Sequence, residues 1–337
     1  MNDMNLLKVK TQLCLNHRIK NENCRICMEV CPKQAITIED SPLKVVVNEK
    51  CDQCGVCFRH CPAQAIQWND TKRYPLSSKD GKVEIYCQKI KCDGYVSCLA
   101  NLTEYELVYL ALQADISLCL DKSVCNQCNI NIEEEVKTLL EKTNTFLAKI
   151  NSKKISLDFK DKQVTEQINR RELFSFFFTK MKQSIVESLP IATEATDYRS
   201  LLVKELAKQV TDQNSNASPL FFGLQATTCT LCGICTKICK NKALYIEADE
   251  KMGVSRLKHD QSRCTGCGAC QKICPSNVIK MSLESSCLES ICNQRAMVIA
   301  EKKMIQCSSC GELIIKNDNC LCDSCQRKKN KKMQAIY

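Results

Sequence analysis

The feature that most constrains this chain is a repeated spacing of cysteines. Cys51, Cys54, Cys57 and Cys61 follow the pattern C-x2-C-x2-C-x3-C and run into Pro62. The same spacing returns at Cys229, Cys232, Cys235 and Cys239, and again at Cys264, Cys267, Cys270 and Cys274, followed by Pro275. A fourth copy, Cys14, Cys24, Cys27 and Cys31 with Pro32, keeps the last two gaps and stretches the first to nine intervening residues. In all, 29 of 337 residues are cysteine. That density belongs either to disulfide scaffolds of short secreted chains or to metal-rich proteins. The opening MNDMNLLKVKTQLCLN has no charged stretch followed by a long apolar run. The reading is therefore a chain without a signal peptide, in a reducing cytoplasmic setting, with no structural disulfides. The nearest candidate, LFSFFF at 173–178, falls far short of the roughly 18 residues a membrane helix needs.

The spacing has a chemical reason. Two-residue gaps let a short loop wrap an iron–sulfur cubane, three thiolates reaching three irons while backbone N–H groups turn toward the sulfurs. The fourth cysteine points away, and the proline after it suits the first turn of a short helix. The segments CPKQAITI, CPAQAIQW, CKNKALYI and CPSNVIKM repeat a polar turn and an apolar pair, predicting one helical turn that runs into a strand. Structural zinc is the competing reading, but four-thiolate zinc usually comes as two separated C-x2-C pairs.

The motifs are paired, with room for a short hairpin such as LKVVVN between members. Each pair resembles a bacterial two-cluster ferredoxin. That resemblance implies crossed ligation: Cys14, Cys24, Cys27 and Cys61 hold one 4Fe–4S cluster, and Cys51, Cys54, Cys57 and Cys31 its neighbour. In the second pair it implies Cys229, Cys232, Cys235 with Cys274, and Cys264, Cys267, Cys270 with Cys239. Two departures from the family stand out, the long gap after Cys14 and Lys240 in place of proline.

Near the C-terminus, Cys307, Cys310, Cys322 and Cys325 form C-x2-C-x11-C-x2-C, a zinc-ribbon spacing that a rubredoxin-like iron site could also use. Cys320 is a less regular fifth candidate. Arg327, Lys328, Lys329, Lys331 and Lys332 read as a solvated, frayed tail, since no aromatic residues interleave with them as in a nucleic-acid surface. The formal charge of +10 treats every cysteine as neutral. Four clusters and one zinc, each about −2 with its thiolates, would cancel it. The 44% hydrophobic content falls to about 35% without cysteine. So thin a core leaves metal–thiolate bonds to help hold the fold.

Between the modules the pattern changes. VEIYC at 83–87, LTEYELVYLALQ with Thr103 as N-cap and Glu106 three residues later, ISLCL at 116–120, a helix over 133–149 and KISLDF predict β-α-β-α-β and a small parallel sheet. Cys87, Cys92 and Cys98 follow the first strand and Cys125 and Cys128 the second, where open α/β sheets place sites. These five are a candidate fifth redox centre, a zinc site, or ordinary half-buried thiols; Cys119 reads as core. Through Cys92 to Val96 and the closing CNQC, the segment resembles the delta-type subunit of methanogen hydrogenase complexes, which implies a two-iron (2Fe–2S) cluster passing electrons between a hydrogenase and a disulfide reductase. Helices over 167–188, with Phe174, Phe177, Phe178 and Met181 on one face, and over 198–210 are expected to link the parts. DQNSNASP at 212–219 reads as a flexible linker. Cys287 and Cys292 stand outside every motif, as buried thiols or a reducible pair.

The expected fold class is α+β: ferredoxin-like modules at 1–75 and 223–285 flank a small α/β domain at 80–160 and a helical linker at 161–222, with a zinc ribbon at 300–330. His17, His60 and His259 read as surface residues, and no Gly-rich phosphate loop follows a strand, so no catalytic residue is assigned. Taken whole, the chain resembles polyferredoxin-type subunits of anaerobic oxidoreductases. That resemblance implies an electron carrier between redox-protein donor and acceptor. The rival expectations are a redox-sensing regulator that binds nucleic acid or a protein, and a thiol-dependent disulfide or sulfur reductase component.

Overall fold

The computed structural model describes residues 7–40, 43–68, 82–90, 95–128, 132–159, 197–209 and 220–334. The expected helix over 167–188, the linker over 212–219 and Cys92 lie outside the described residues. The chain divides into two compact units, Met1–Val210 and Thr211–Tyr337. Among the described residues no helix is long and apolar enough to cross a membrane.

In the first unit, β1 (Leu7–Val9) precedes α1 (Leu15–Arg18) and α2 (Ile26–Glu29), then β2 (Ile36–Asp40), β3 (Leu43–Val47), α3 (Val56–His60) and β4 (Ile66–Trp68). The strands form two antiparallel ribbons, β2 with β3 (Ile36 opposite Val47) and β1 with β4 (Leu7 opposite Trp68). The expected hairpin ahead of Cys51 is thus present. The apolar core between the ribbons is small: Leu7, Ile36, Cys57 and Ile66 are buried, and Cys27, Cys31, Val45, Val47 and Cys61 pack against them. Thiols make up much of the interior, as the thin apolar content of the sequence required.

A parallel sheet follows. It comprises β5 (Lys82–Cys87), β6 (Tyr95–Val96), β7 (Asp115–Leu120) and β8 (Ser156–Phe159) in the order β6-β5-β7-β8. Between them run α4 (Glu104–Ala111), α5 (Lys122–Gln127) and α6 (Glu133–Lys149). Thr103 caps α4 by accepting from the Glu106 N–H, as its S/T-x-x-E signature predicts. On β5, Val83, Ile85 and Cys87 are buried while Glu84 and Tyr86 are only half-buried. β7 is buried from Ile116 to Leu120, as expected for a central parallel strand. Leu107 and Val108 of α4 and Val136, Leu139, Phe146 and Leu147 of α6 are fully buried. The two-residue β6 is an element the sequence reading did not contain. α7 (Tyr198–Gln209) packs on α4, with the Arg199 guanidinium over the Tyr105 ring at 4.6 Å.

The second unit repeats the ribbon plan. β9 (Gly223–Gln225) pairs with β12 (Lys280–Ser282), and β10 (Leu244–Asp249) with β11 (Val254–His259), all antiparallel. α8 (Ile234–Ile238) and α9 (Ala269–Ile273) pack between them, and α10 (Leu288–Cys292) follows. Here the second ribbon is extended, because β13 (Met297–Gln306) adds to β11 and then pairs with β14 (Leu313–Ile315). The C-terminal ribbon therefore grows out of the module's own sheet.

Three expectations are corrected. The segments after each fourth cysteine are tight turns, not helical turns; the short helices instead lie before that cysteine. Gln34, Gln64, Lys242 and Asn277 occupy equivalent turn positions with φ of 49°, 51°, 53° and 51°, a left-handed conformation that no helix continues. His259 is fully buried, not on the surface. The basic tail is α11 (Asp323–Gln334), a helix whose Asp323 sits in the first turn and whose lysines sit toward the end. That placement is what the helix dipole favours.

Phe146 is completely buried on α6. Phe146→Ala is expected to cost about 3–5 kcal/mol, read as a lowered denaturant midpoint in chemical unfolding monitored by far-UV circular dichroism.

Candidate metal centres

Each ferredoxin-type loop is shaped by its local sequence. In three motifs the residue after the second cysteine is glycine, and Gly55, Gly233 and Gly268 all sit at φ near +75° as the N-caps of α3, α8 and α9. Only glycine takes that conformation freely. The stretched first motif has Arg25 there, at φ −119°. After the fourth cysteine the turn aims a backbone N–H back at sulfur. Ala35 donates to Cys31 Sγ, Ala65 to Cys61 Sγ and Ala243 to Cys239 Sγ, each at 3.3 Å. At Cys274 burial pushes the thiol up, but the N–H groups of Val278, Ser276, Ile279 and Asn277 outweigh it and hold the group below its ordinary value. Such N–H···S contacts stabilise a thiolate over a thiol.

The thiols gather in crossed sets. Cys27 is pushed up to about 11 by burial, then by its neighbours Cys61, Cys24 and Cys14. Cys57 is pushed up to about 12 by burial, then by Cys54, Cys31 and Cys51. In the second unit burial raises Cys235 to about 11, helped by Cys229, Cys232 and Cys274. Cys270 reaches about 12 through burial and the neighbours Cys264, Cys267 and Cys239. In every case one of the three neighbours named comes from the partner motif. A cavity lined by Cys229, Cys232, Cys235 and Cys274, with Leu231, Ile246, Leu257 and Ile279 around them, opens inside one of these sets.

The C-terminal quartet is built differently. The ligand atoms of Cys307, Cys310, Cys322 and Cys325 all lie within 4.8 Å of one another. Cys310 Sγ stands 3.7 Å from Cys322 Sγ, close to the ~3.8 Å that tetrahedral geometry gives at ordinary zinc–sulfur bond lengths. The quartet therefore fits one ion. The Cys322 N–H donates to Cys307 Sγ at 3.3 Å and, with the Ser309 N–H, holds that thiol down at about 6. Cys320 stays out of the set; its Sγ faces the Asn317 carbonyl at 3.8 Å. Among the described residues no ferredoxin-type set draws in to the 4.8 Å of this quartet, which fits a group wider than one ion.

The middle cysteines converge at the carboxyl edge of the parallel sheet. Cys87 ends β5, Cys98 follows β6, and Cys125 and Cys128 lie on and just after α5 beyond β7. Asp121 Oδ1 caps α5 by accepting from the Ser123 and Val124 N–H groups, fixing where Cys125 and Cys128 stand. Burial raises all of Cys87, Cys98 and Cys125; Cys87 feels Cys128, Cys98 feels Cys87 and Cys125, and Cys125 feels Cys87 and Cys128, with Cys125 at about 11. Lys89, which no sequence motif singled out, places its ammonium 3.1 Å from Cys128 Sγ.

Other candidates fall elsewhere. Cys119 is fully buried, as expected, but on the polar side of the sheet with Glu84 and Asp158. There Tyr86 donates to Glu84 at 2.5 Å and Ser117 to Asp158 at 2.6 Å, so these groups satisfy one another. Cys287 caps α10 and Cys292, at its end, is buried. His17 is exposed, while His60 pairs with Glu135. Arg59, buried on α3 between Cys57 and Cys61, pairs with Glu135 and lies 3.8 Å from Glu104. This ion pair ties the ferredoxin-type module to α4 and α6, and no spacing in the sequence announces it.

Against known families, residues 22–66 match a 4Fe-4S dicluster domain and residues 228–278 match a second 4Fe-4S dicluster domain. The chain thus carries two such domains. Such domains imply iron–sulfur electron transfer. Cys14 lies ahead of the first match. Among curated proteins none matches the chain.

Glu135→Ala would leave the buried Arg59 guanidinium with Glu104 as its remaining carboxylate. The expected cost is about 1–3 kcal/mol, measured by urea unfolding of the iron-loaded protein. Since the quartet fits one ion, Cys310→Ser is expected to lower the metal content by about one atom per chain, as metal analysis of the two proteins would report.

Proposed function

We propose that this chain is an electron relay with four 4Fe–4S clusters, a fifth centre in the middle segment and a zinc ion in the C-terminal ribbon, serving a redox-protein donor and acceptor within an anaerobic oxidoreductase. The observation that carries the reading is the crossed gathering of thiols, above all the cavity lined by Cys229, Cys232 and Cys235 of one motif and Cys274 of the next. Crossed sets put two clusters side by side in each module; Cys57 feels Cys27, and Cys270 feels Cys235, across the gap between sets. The ligands follow: Cys14, Cys24, Cys27 and Cys61; Cys51, Cys54, Cys57 and Cys31; Cys229, Cys232, Cys235 and Cys274; Cys264, Cys267, Cys270 and Cys239.

When bound, the clusters supply one-electron carriers. The chain's own residues do the rest: the turn N–H groups stabilise ligand thiolates, the apolar shell of Leu231, Leu244, Leu257 and Ile279 limits water, and the balance of the two sets each potential. Cys87, Cys98, Cys125 and Cys128 hold the fifth centre. Their convergence supports it, and their spread beyond single-ion distance favours an iron–sulfur group of the two-iron class over zinc. The tight C-terminal quartet fits a single ion, read here as zinc from its two separated C-x2-C pairs, with a ribbon role in shaping the end of the sheet.

The test is metal and sulfide stoichiometry on protein purified without oxygen, with electron paramagnetic resonance after reduction. About sixteen irons per chain with one zinc supports the four-cluster relay, and about eighteen irons adds the two-iron centre. Iron-free, colourless protein overturns the reading.

A further inference from the structure

The first unit holds both a ferredoxin-type module and the middle cysteines, and the two meet at one place. The loop Cys51–Cys57 lies against the 3-10 turn Leu99–Asn101 that follows Cys98, and α3 packs on that turn. The approach is unusually close. A Cβ built on Gly55, the neighbour of Cys54, would stand 2.4 Å from Asn101 Cβ and 3.4 Å from its Cα. Gly55 also sits at φ +77°, so only glycine gives both the backbone shape and the clearance. In the second unit the equivalent Gly233 and Gly268 have no such neighbour: Gly233 meets only the ends of Ile246 and Thr236 beyond 3.5 Å, and Gly268 meets nothing within 4 Å. The contact is therefore a property of this loop, not of the motif.

Further links reinforce the junction. Arg59, four residues after Gly55, is held by Glu135 and Glu104 of the α/β segment. Lys89 places its ammonium 3.1 Å from Cys128 Sγ on the middle side of the junction.

We infer that the Cys54–Gly55 loop and the Cys98–Asn101 turn form a built electron junction, joining the cluster held by Cys51, Cys54, Cys57 and Cys31 to the middle centre. The inference rests on the reading that the middle quartet holds an iron–sulfur group. At this junction one electron leaves the cluster, which is oxidised by one unit, and enters the middle centre, which is reduced by one. No bond forms or breaks and no proton moves. Tunnelling falls steeply with separation, so the close approach that a bare Gly55 allows shortens the path between the two sites.

The test uses the full chain, loaded with iron and reduced stepwise by dithionite. Expected is a magnetic interaction: the signal of the middle centre splits or relaxes faster once the Cys51 cluster becomes paramagnetic. Gly55→Ala, which forces the loop away from Asn101, should weaken that interaction and measurably slow internal electron transfer after flash photoreduction. The double variant Gly55→Ala with Asn101→Gly removes the opposing Cβ and should recover part of both. The wild-type measurement stands even if Gly55→Ala fails to load. A middle-centre signal indifferent to the redox state of the Cys51 cluster overturns the junction while leaving the relay intact. An iron count that stays at about sixteen overturns the middle centre, and the junction with it, while leaving the four clusters standing.

Discussion

The structure depends on burying sulfur that only a metal can satisfy. In each ferredoxin-type module the apolar core is a few residues wide, and the ligand thiols make up much of what is inside it. Burial and mutual repulsion hold Cys27, Cys57, Cys235 and Cys270 at about 11 to 12, so at neutral pH they keep their protons when no metal is present. Loading iron must displace those protons, and the binding energy of the metal is at the same time folding energy. Backbone N–H groups also donate to the sulfurs of Cys31, Cys61 and Cys239. These contacts are made by turns whose left-handed residue follows the fourth cysteine by three positions, so the turn geometry and the electronic environment of the ligand are one feature.

The α/β segment is stabilised in another way. It has helices long enough to cover a sheet, a capped α4 and an α6 with six buried side chains, and its interior needs no metal. Its cysteines sit at the sheet's carboxyl edge, where they add chemistry to a fold that stands on apolar burial. That division explains how one unit can hold a metal-dependent module and an ordinary hydrophobic core side by side. Arg59 and its two carboxylates fasten them together.

In the second unit the same module is extended by strands rather than by a separate domain. β13 continues the β10–β11 ribbon and carries the chain to Cys307, so the C-terminal quartet stands on the module's sheet. Part-way along the β11–β13 pairing the register shifts between Leu257 and Lys258. The distances in that quartet separate it from the others: 3.7 Å between Cys310 and Cys322 suits one ion, whereas the ferredoxin-type sets stay wider.

The sequence by itself determined the cysteine motifs, the hairpin ahead of Cys51 and the parallel β-α-β-α-β order of the middle segment, because each is encoded locally, in C-x2-C gaps, a two-residue alternation or a capping box. It could not show that the turns after the fourth cysteines are left-handed, since Gln34 and Lys242 carry no glycine to announce it. Nor could it place His259 in the interior or turn the tail from Arg327 onward into a helix. Only the tertiary structure decided that Cys98 lies beside the Cys54 loop, that Lys89 reaches Cys128 and that Arg59 is enclosed by Glu104 and Glu135. Those contacts join residues far apart in the chain, and their energy comes from packing and charge that exist only once the sheet and the cluster loop have met.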